Sequence, residues 1–224
     1  AANLAAALAK SGFKVALLDL DVYAPSLHVY FNQKPRRWIN DLLSENTPLS
    51  DVIVDMTSMI EGIQSNTENK SGKLWIAFSN PKKEEIYKLE GSIAKQKDTK
   101  TQLRKFIQLR EDLISEYECD YIIIDTSPGI RYWSINSLAL ADIIFLTLKF
   151  GDLDIEGTKK MATDMYESFT KFGAKSYLLL NRVAGYCVPN VMSEYAHVHE
   201  HETLVMPQAS ESDLGAALSK EVQM

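Results

Sequence analysis

Five short apolar runs, rich in aliphatic residues, most constrain the fold of this chain. They are far too short to span a membrane. Near-continuous apolar sequence of this length is typical of strands that are covered on both faces of a parallel sheet. Segments with helical periodicity lie between these runs, which predicts a doubly wound, mostly parallel α/β sheet with helices on both faces. The predicted strands are 14–20, 74–78, 121–125, 143–148 and 177–180, with a weaker candidate at 203–206.

The helical segments complete the predicted alternation. The first of them ends at Ser11-Gly12, a common helix stop before a strand. The chain shows neither an internal repeat nor a clear domain boundary, so we predict a single domain over 1–224. Within it we expect 64–105 to be an exposed loop and helical excursion, because this range is polar and charged. The predicted helices are 1–10, 38–44, 101–117, 134–141 and 155–172.

Composition narrows the functional class. Hydrophobic residues make up 46% and charged residues 24% of the chain, which is ordinary for a globular protein and excludes a disordered tail. A net charge of −6 argues against a globally basic nucleic-acid binder. The two cysteines, Cys119 and Cys187, form neither a disulfide framework nor a metal-binding C-x-x-C, so we expect a cytoplasmic protein.

A pair of carboxylates, Asp19 and Asp21, lies at the carboxyl end of the strand 14–20. Ligands of doubly wound sheets bind outside this end of the strands. Carboxylates there can hold Mg²⁺ through its waters or orient a nucleophilic water. A strand-to-loop turn capped by Asp side chains explains the same pattern, and the two interpretations stay open on these residues alone.

A second motif begins with Asp125, which closes the apolar strand 121–125 and is followed by Thr126-Ser127-Pro128-Gly129. This is the Walker B arrangement: the strand fixes the carboxylate, and the Pro-Gly turn brings backbone N–H groups near a γ-phosphate. A bare turn is the alternative. A third motif is Asn181-Arg182 after the strand 177–180, where an Asn side chain can present both donor and acceptor to an adenine edge. Asn also commonly ends strands as a turn residue, and this alternative stays open on these residues alone.

Together, and in this order, the motifs resemble the MinD/ParA family of P-loop ATPases, the SIMIBI class with a deviant Walker A loop. Residues 2–12 are similar to the helix that follows that loop. Residues 19–26 resemble switch I, and residues 125–129 resemble Walker B and switch II. Asn181-Arg182 resembles the adenine turn. The similarity is weakest over 46–100 and after Val183.

The resemblance implies Mg²⁺-dependent ATP hydrolysis, usually in a nucleotide-sandwich dimer. Asp21 would orient or activate the attacking water. Asp19 would lie in the outer shell of the Mg²⁺, and Asp125 would hold the metal through water. Gly129, in the turn with Pro128, would donate its backbone N–H toward the γ-phosphate.

On the adenine side, the resemblance implies that Asn181 reads the base with Arg182 packed nearby. Met206 and Pro207 would form the loop over the base and ribose. The family's Gly-rich loop, its lysines and its Mg-binding Ser or Thr are not in this sequence, which opens within a helical pattern. We therefore expect upstream residues to carry the loop, and these 224 residues alone to hydrolyse ATP poorly.

Three functions compete. The leading hypothesis is a regulatory or positioning ATPase acting as a nucleotide-controlled homodimer with a protein partner, with DNA left open as a further partner. The segment 213–224 has few bulky apolar residues and little positive charge, so we expect no membrane binding through it. The alternatives are a non-hydrolysing interaction module on the same fold and an iron-sulfur carrier of the Mrp class. We expect no iron-sulfur cluster, because Cys119 and Cys187 each lack a nearby second cysteine.

Three of the four histidines, His197, His199 and His201, alternate along a short segment. In an extended conformation their side chains would line one face, and a bent loop could bring two onto a metal ion. We favour solvated loop residues over a metal site as the interpretation of this pattern, and the role of these histidines stays open.

Overall fold

The computed structural model describes residues 1–45, 47–60, 72–95, 99–127, 132–149 and 174–181. Contacts along the chain divide it into two compact units, Ala1–Leu140 and Ala141–Met224. The prediction of one domain over 1–224 stays a prediction.

The first unit alternates strands and helices. Its helices are α1 (Ala2–Lys10), α2 (Leu27–Tyr30), α3 (Ile39–Ser44), α4 (Leu49–Val52), α5 (Lys83–Lys95), α6 (Thr99–Ser115) and α7 (Tyr132–Leu140), with a 3₁₀ turn at Thr57–Met59. Its strands are β1 (Lys14–Leu20), β2 (Ile53–Asp55), β3 (Lys73–Ala77) and β4 (Tyr121–Thr126). They form one sheet in the order β2-β3-β1-β4. β1 is parallel to both β3 and β4, and β2 pairs antiparallel with β3.

The described part of the second unit is a parallel pair of strands. β5 (Ile143–Lys149) pairs with β6 (Lys175–Asn181), in register from Ile143 opposite Lys175 to Lys149 opposite Asn181. The predicted helix 155–172 and the weak strand candidate 203–206 lie outside the described residues. The predicted mostly parallel α/β architecture is confirmed.

Strand β1 is the centre of the first unit, and its side chains alternate between two hydrophobic clusters. Val15 and Leu17 pack in a cluster with residues of α1 and β3. Leu18 and Leu20 pack in a second cluster with residues of α3, α5 and α6. Every residue of β1 after Lys14 is buried. The sheet therefore carries helices on both faces, as the continuous apolar sequence of β1 predicts.

Helix α1 ends where the sequence predicts. Its Ala- and Leu-rich sequence favours a helix, and the chain turns away at Gly12, which adopts a φ of 93°. Such a positive φ is readily available only to glycine. The turn delivers the chain directly into β1.

The sheet differs from the sequence-based expectation at one strand. β2 was not predicted, because three residues are too few to show a strand period. The strand predicted at 74–78 is confirmed as β3, and its last four residues are buried beside β1 within the range 64–105 that was expected to be exposed. Leu89 of α5 is also buried. The excursion is therefore interrupted by part of the core.

Gly72, which precedes β3, brings the backbone of β3 against the end of α1. A β-carbon built at Gly72 would overlap the carbonyl oxygen of Ala9, a backbone atom that cannot rotate aside. We expect Gly72→Ala to lower the free energy of unfolding by about 1–3 kcal/mol, the usual cost of overpacking. Urea unfolding measures this change. The exposed Ser58→Ala is the control and should change stability by less than about 0.5 kcal/mol; equal stability of both variants would contradict the close approach.

Candidate functional site

The carboxyl ends of β1, β3 and β4 meet at one edge of the sheet, because these strands are parallel. Asp19 on β1 is the register partner of Asp125 on β4. Asp21 follows β1, and Ser79 follows β3. The structure therefore brings the predicted residues Asp19, Asp21 and Asp125 to one edge, as the strand-end positions of these residues predict.

Asp19 is held in the interior, with only 1% of its surface exposed. Its Oδ1 accepts the backbone N–H of Asp21 at 3.2 Å, and its Oδ2 accepts the N–H of Ser79 at 3.5 Å. The Ser79 hydroxyl donates to the backbone carbonyl of Asp19 at 2.8 Å. Burial raises the pKa of Asp19 to about 7, opposed by the two N–H donors and assisted by repulsion from Asp125 and Asp21. A cation near this carboxyl would favour its ionised form.

Asp21 is half-buried in the loop that follows β1. Its Oδ1 accepts the hydroxyl of Ser127 at 2.7 Å and the backbone N–H of Ala24 at 3.2 Å. The Asp21 carboxylate thus stabilises the turn of its own loop and also joins that loop to the end of β4. A carboxylate placed in this way can orient water or a cation at the sheet edge.

Asp125 is also half-buried. Burial is the main cause that raises the pKa of its carboxyl, and repulsion from Asp21 adds to the rise. Asp21 and Asp125 are therefore close enough to repel one another. A divalent cation would relieve that repulsion.

A cleft of about 460 Å³ opens beside Asp125. One wall is the first turn of α1, which has no acidic residue. The exposed N–H groups and dipole of a helix N-terminus favour anions. With a carboxylate on another wall, the cleft suits an anion that binds together with a cation. Its lining residues are Ala1, Ala2, Asn3, Ser26, Leu27, Val29, Tyr30 and Asp125.

The donor set fits a magnesium ion that keeps most of its waters. In the ranges that the structure describes, no three His, Cys, Asp or Glu side chains gather closely enough to ligate one metal directly. Mg²⁺ is commonly bound through one or two carboxylates, phosphate oxygens and water. Asp125 and Asp21, at the cleft and beside it, satisfy that requirement.

Sequence reasoning missed a polar group at the end of β3. The buried Asn40 of α3 accepts the N–H of Asn80 through its Oδ1 at 2.7 Å, and Asn80 accepts the N–H of Lys82 at 3.1 Å. The Nδ2 of Asn40 is buried without a hydrogen-bond partner in the described part of the chain. Ser79-Asn80 directly after an apolar strand is the same signal that identified Asp19. This group fixes the path of the chain beside Asp19.

Several predicted site residues cannot be placed at this edge. Asn181 ends β6 as predicted, in the second unit. Its role toward adenine stays a prediction. The others lie outside the described residues: Pro128, Gly129, Arg182, Met206 and Pro207, together with His197, His199 and His201.

No helix within the described ranges is both long and apolar enough to cross a membrane.

Comparisons with known proteins agree with this geometry. A family model described as AAA domain (AAA_31) matches residues 1–174. An uncharacterized ATP-binding protein of Methanocaldococcus jannaschii is 41% identical over 77 residues, which are 34% of this chain and 28% of that protein. The chain also covers less than two thirds of two other curated relatives, 46% and 64% of their lengths.

Two solved structures share the fold. One is the septum site-determining protein MinD of Pyrococcus horikoshii complexed with Mg-ADP, with a TM-score of 0.59, 20% identity, and coverage of 87% of this chain and 69% of that chain. The other is the MinC:MinD cell division protein complex of Aquifex aeolicus, with a TM-score of 0.59, 18% identity, and coverage of 97% and 70%. The resemblance to the MinD/ParA P-loop ATPases is thereby confirmed, and the chain belongs to the AAA domain family AAA_31.

Proposed function

We propose that this protein binds and hydrolyses ATP with Mg²⁺ and acts as a nucleotide-controlled dimer that regulates or positions a partner. The observation that carries the proposal is the convergence of Asp19, Asp21 and Asp125 at one sheet edge, beside a cleft walled by the start of α1. The MinD structure of the same fold is a complex with Mg-ADP, which supports this choice of ligand.

The described residues at this edge would have different roles. Asp125 would hold the cation, and Asp21 would orient the attacking water. Mg²⁺, when bound, would neutralise phosphate charge. The first turn of α1 would face phosphate oxygens with its N–H groups. Asp19, held by Ser79, would support the cation from the interior and fix the loop that carries Asp21.

The remaining binding roles are part of the same proposal. Gly129, in the turn with Pro128, would donate toward the γ-phosphate. Asn181 would read the adenine edge with Arg182 packed nearby. Met206 and Pro207 would lie over the base and ribose.

The proposed partner is a protein, with a second copy of the chain bound through nucleotide. MinD in its complex with MinC is a precedent for a protein partner on this fold. DNA stays open as a further partner. We expect neither an iron-sulfur cluster nor membrane binding through 213–224, and we expect the protein to act in the cytoplasm.

Asp125→Ala tests the proposed function. We expect the full-length protein to release phosphate from Mg-ATP, and the substitution to lower kcat by about 100-fold or more, because the carboxylate that holds the charge-neutralising cation is lost. Phosphate release at saturating Mg-ATP measures the effect.

The matched control is Asp51→Ala, which removes an exposed carboxylate from α4. This variant should keep the activity of the unchanged protein. Full activity in Asp125→Ala would contradict the metal role. A full-length protein that binds Mg-ATP but releases no phosphate would instead be a non-hydrolysing interaction module.

A further inference from the structure

Ser127 joins two segments that are far apart in sequence. It follows β4 directly and is buried, with 6% of its surface exposed. Its hydroxyl donates to Oδ1 of Asp21, 106 residues away, at 2.7 Å. A hydrogen bond from a buried hydroxyl to a carboxylate is short and strong, because the acceptor is charged.

The bond restrains the Asp21 side chain. The N–H of Ala24 reaches the same oxygen at 3.2 Å, so two donors from different segments converge on Oδ1. One donor belongs to the loop of Asp21 itself, and among the contacts of the described residues Ser127 is the donor that joins the carboxylate to the segment after β4. Without Ser127, the donor that remains to Oδ1 among the described residues is local to the loop of Asp21.

The bond also acts against a repulsion. Asp21 and Asp125 are close enough for their charges to oppose one another, and Ser127 lies two residues beyond Asp125 on the same strand end. The Ser127 hydroxyl therefore holds the Asp21 carboxylate at the end of β4 against the repulsion from Asp125.

We infer that Ser127 is a positioning residue, which holds the Asp21 carboxylate in the orientation that hydrolysis requires. This inference rests on the proposed function, in which Asp21 orients the attacking water. Small displacements of a group that aligns a nucleophile lower the rate of the chemical step more than substrate binding.

The test compares Ser127→Ala and Ser127→Thr in the full-length protein. Ser127→Ala should lower kcat for Mg-ATP by about 10-fold, while KM changes by less than about 3-fold because the nucleotide contacts remain. Ser127→Thr keeps the hydroxyl and should restore most of kcat. Ser115→Ala is the control: its hydroxyl donates to the Glu111 carbonyl within α6, and its loss should leave kcat unchanged.

A second measurement is independent of activity. In nucleotide-free protein, Ser127→Ala and Asp21→Ala each remove the same hydrogen bond. Their losses in Tm should therefore not add, and the double variant should lose less than the sum of the two single losses.

Four outcomes would overturn the inference. They are an unchanged kcat in Ser127→Ala, an equal fall in Ser115→Ala, a fall that Ser127→Thr does not reverse, and additive losses in Tm. If the wild-type protein releases no phosphate from Mg-ATP, the proposed function is wrong, and the positioning role is wrong with it. If the wild-type protein is active and the Ser127→Ala variant is equally active, the positioning role alone is wrong.

Discussion

Replacing Leu17 by alanine should lower the free energy of unfolding by about 2–5 kcal/mol, the range for a large buried aliphatic side chain. Leu17 is 0% exposed. It lies in the middle of β1, in register with Ile76 of β3 and Ile123 of β4. Because β1 is hydrogen-bonded on both sides, the backbone cannot move inward to close the cavity. The loss should lie toward the upper part of that range.

Chemical unfolding of the nucleotide-free protein measures this change, and Leu4→Ala on α1 is its matched control. Leu4 is 45% exposed, and its truncation should cost about 0.5 kcal/mol or less, as for most surface substitutions. Similar losses in the two variants would show that β1 is not the centre of the core.

The second large effect is a gain in stability. Asp19→Asn should raise the free energy of unfolding at pH 8, in the absence of nucleotide and Mg²⁺, because the ionised carboxyl of Asp19 is buried. The pKa of Asp19 rises from its ordinary 3.8 to about 7 on folding. This difference of about 3 units corresponds to a penalty of at most about 4 kcal/mol above pH 7.

The direction in which folding stability changes with pH follows from proton binding to Asp19. Below pH 3.8 both the folded and the unfolded protein carry the proton on Asp19, and there is no penalty. As the pH rises toward 7, the unfolded state releases the proton and the folded state keeps it, so stability falls. Asn has no such proton. However, it offers only one acceptor oxygen to the N–H groups of Asp21 and Ser79, which offsets about 1 kcal/mol of the gain.

We therefore expect Asp19→Asn to be about 1–3 kcal/mol more stable than the unchanged protein at pH 8, and to lose most of this advantage at pH 4. Urea unfolding at the two pH values measures it. Asp51→Asn, with its exposed side chain on α4, should reproduce the pH dependence of the unchanged protein. A destabilised Asp19→Asn at pH 8 would mean that the buried carboxylate is stabilised by its N–H donors rather than penalised by burial.

Part of the site could be predicted because parallel strands place their carboxyl ends together. Asp19 and Asp125 each end an apolar run, and that pattern alone predicts a shared edge. The order of the strands in the sheet could not be predicted. The contact between Ser79 and Asp19 depends on β3 lying beside β1, and nothing in either segment specifies its neighbour.

Other features could not be predicted from the sequence, for physical reasons. The bond between Ser127 and Asp21 links residues 106 positions apart, and a Ser in a turn more commonly bonds to nearby backbone. β2 has three residues, with no period to recognise. Helices α1 and α6 and the parallel strands of the sheet were predictable because each contains more than two turns of helix or a continuous apolar run. The four-residue helices α2 and α4 were not predicted, because about one turn is too short to show a helical period.

The edge of the sheet at which the carboxylates meet has a consequence for how the protein folds. Its groups come from the segments after β1, after β3 and at the end of β4, so none of the three segments can form it alone. Parallel pairing of such distant segments closes long loops and is slow compared with local helix formation. A ligand that binds at this edge recognises only chains in which both strand pairings, of β1 with β3 and of β1 with β4, are complete. It should therefore slow unfolding of the whole first unit rather than protect one loop.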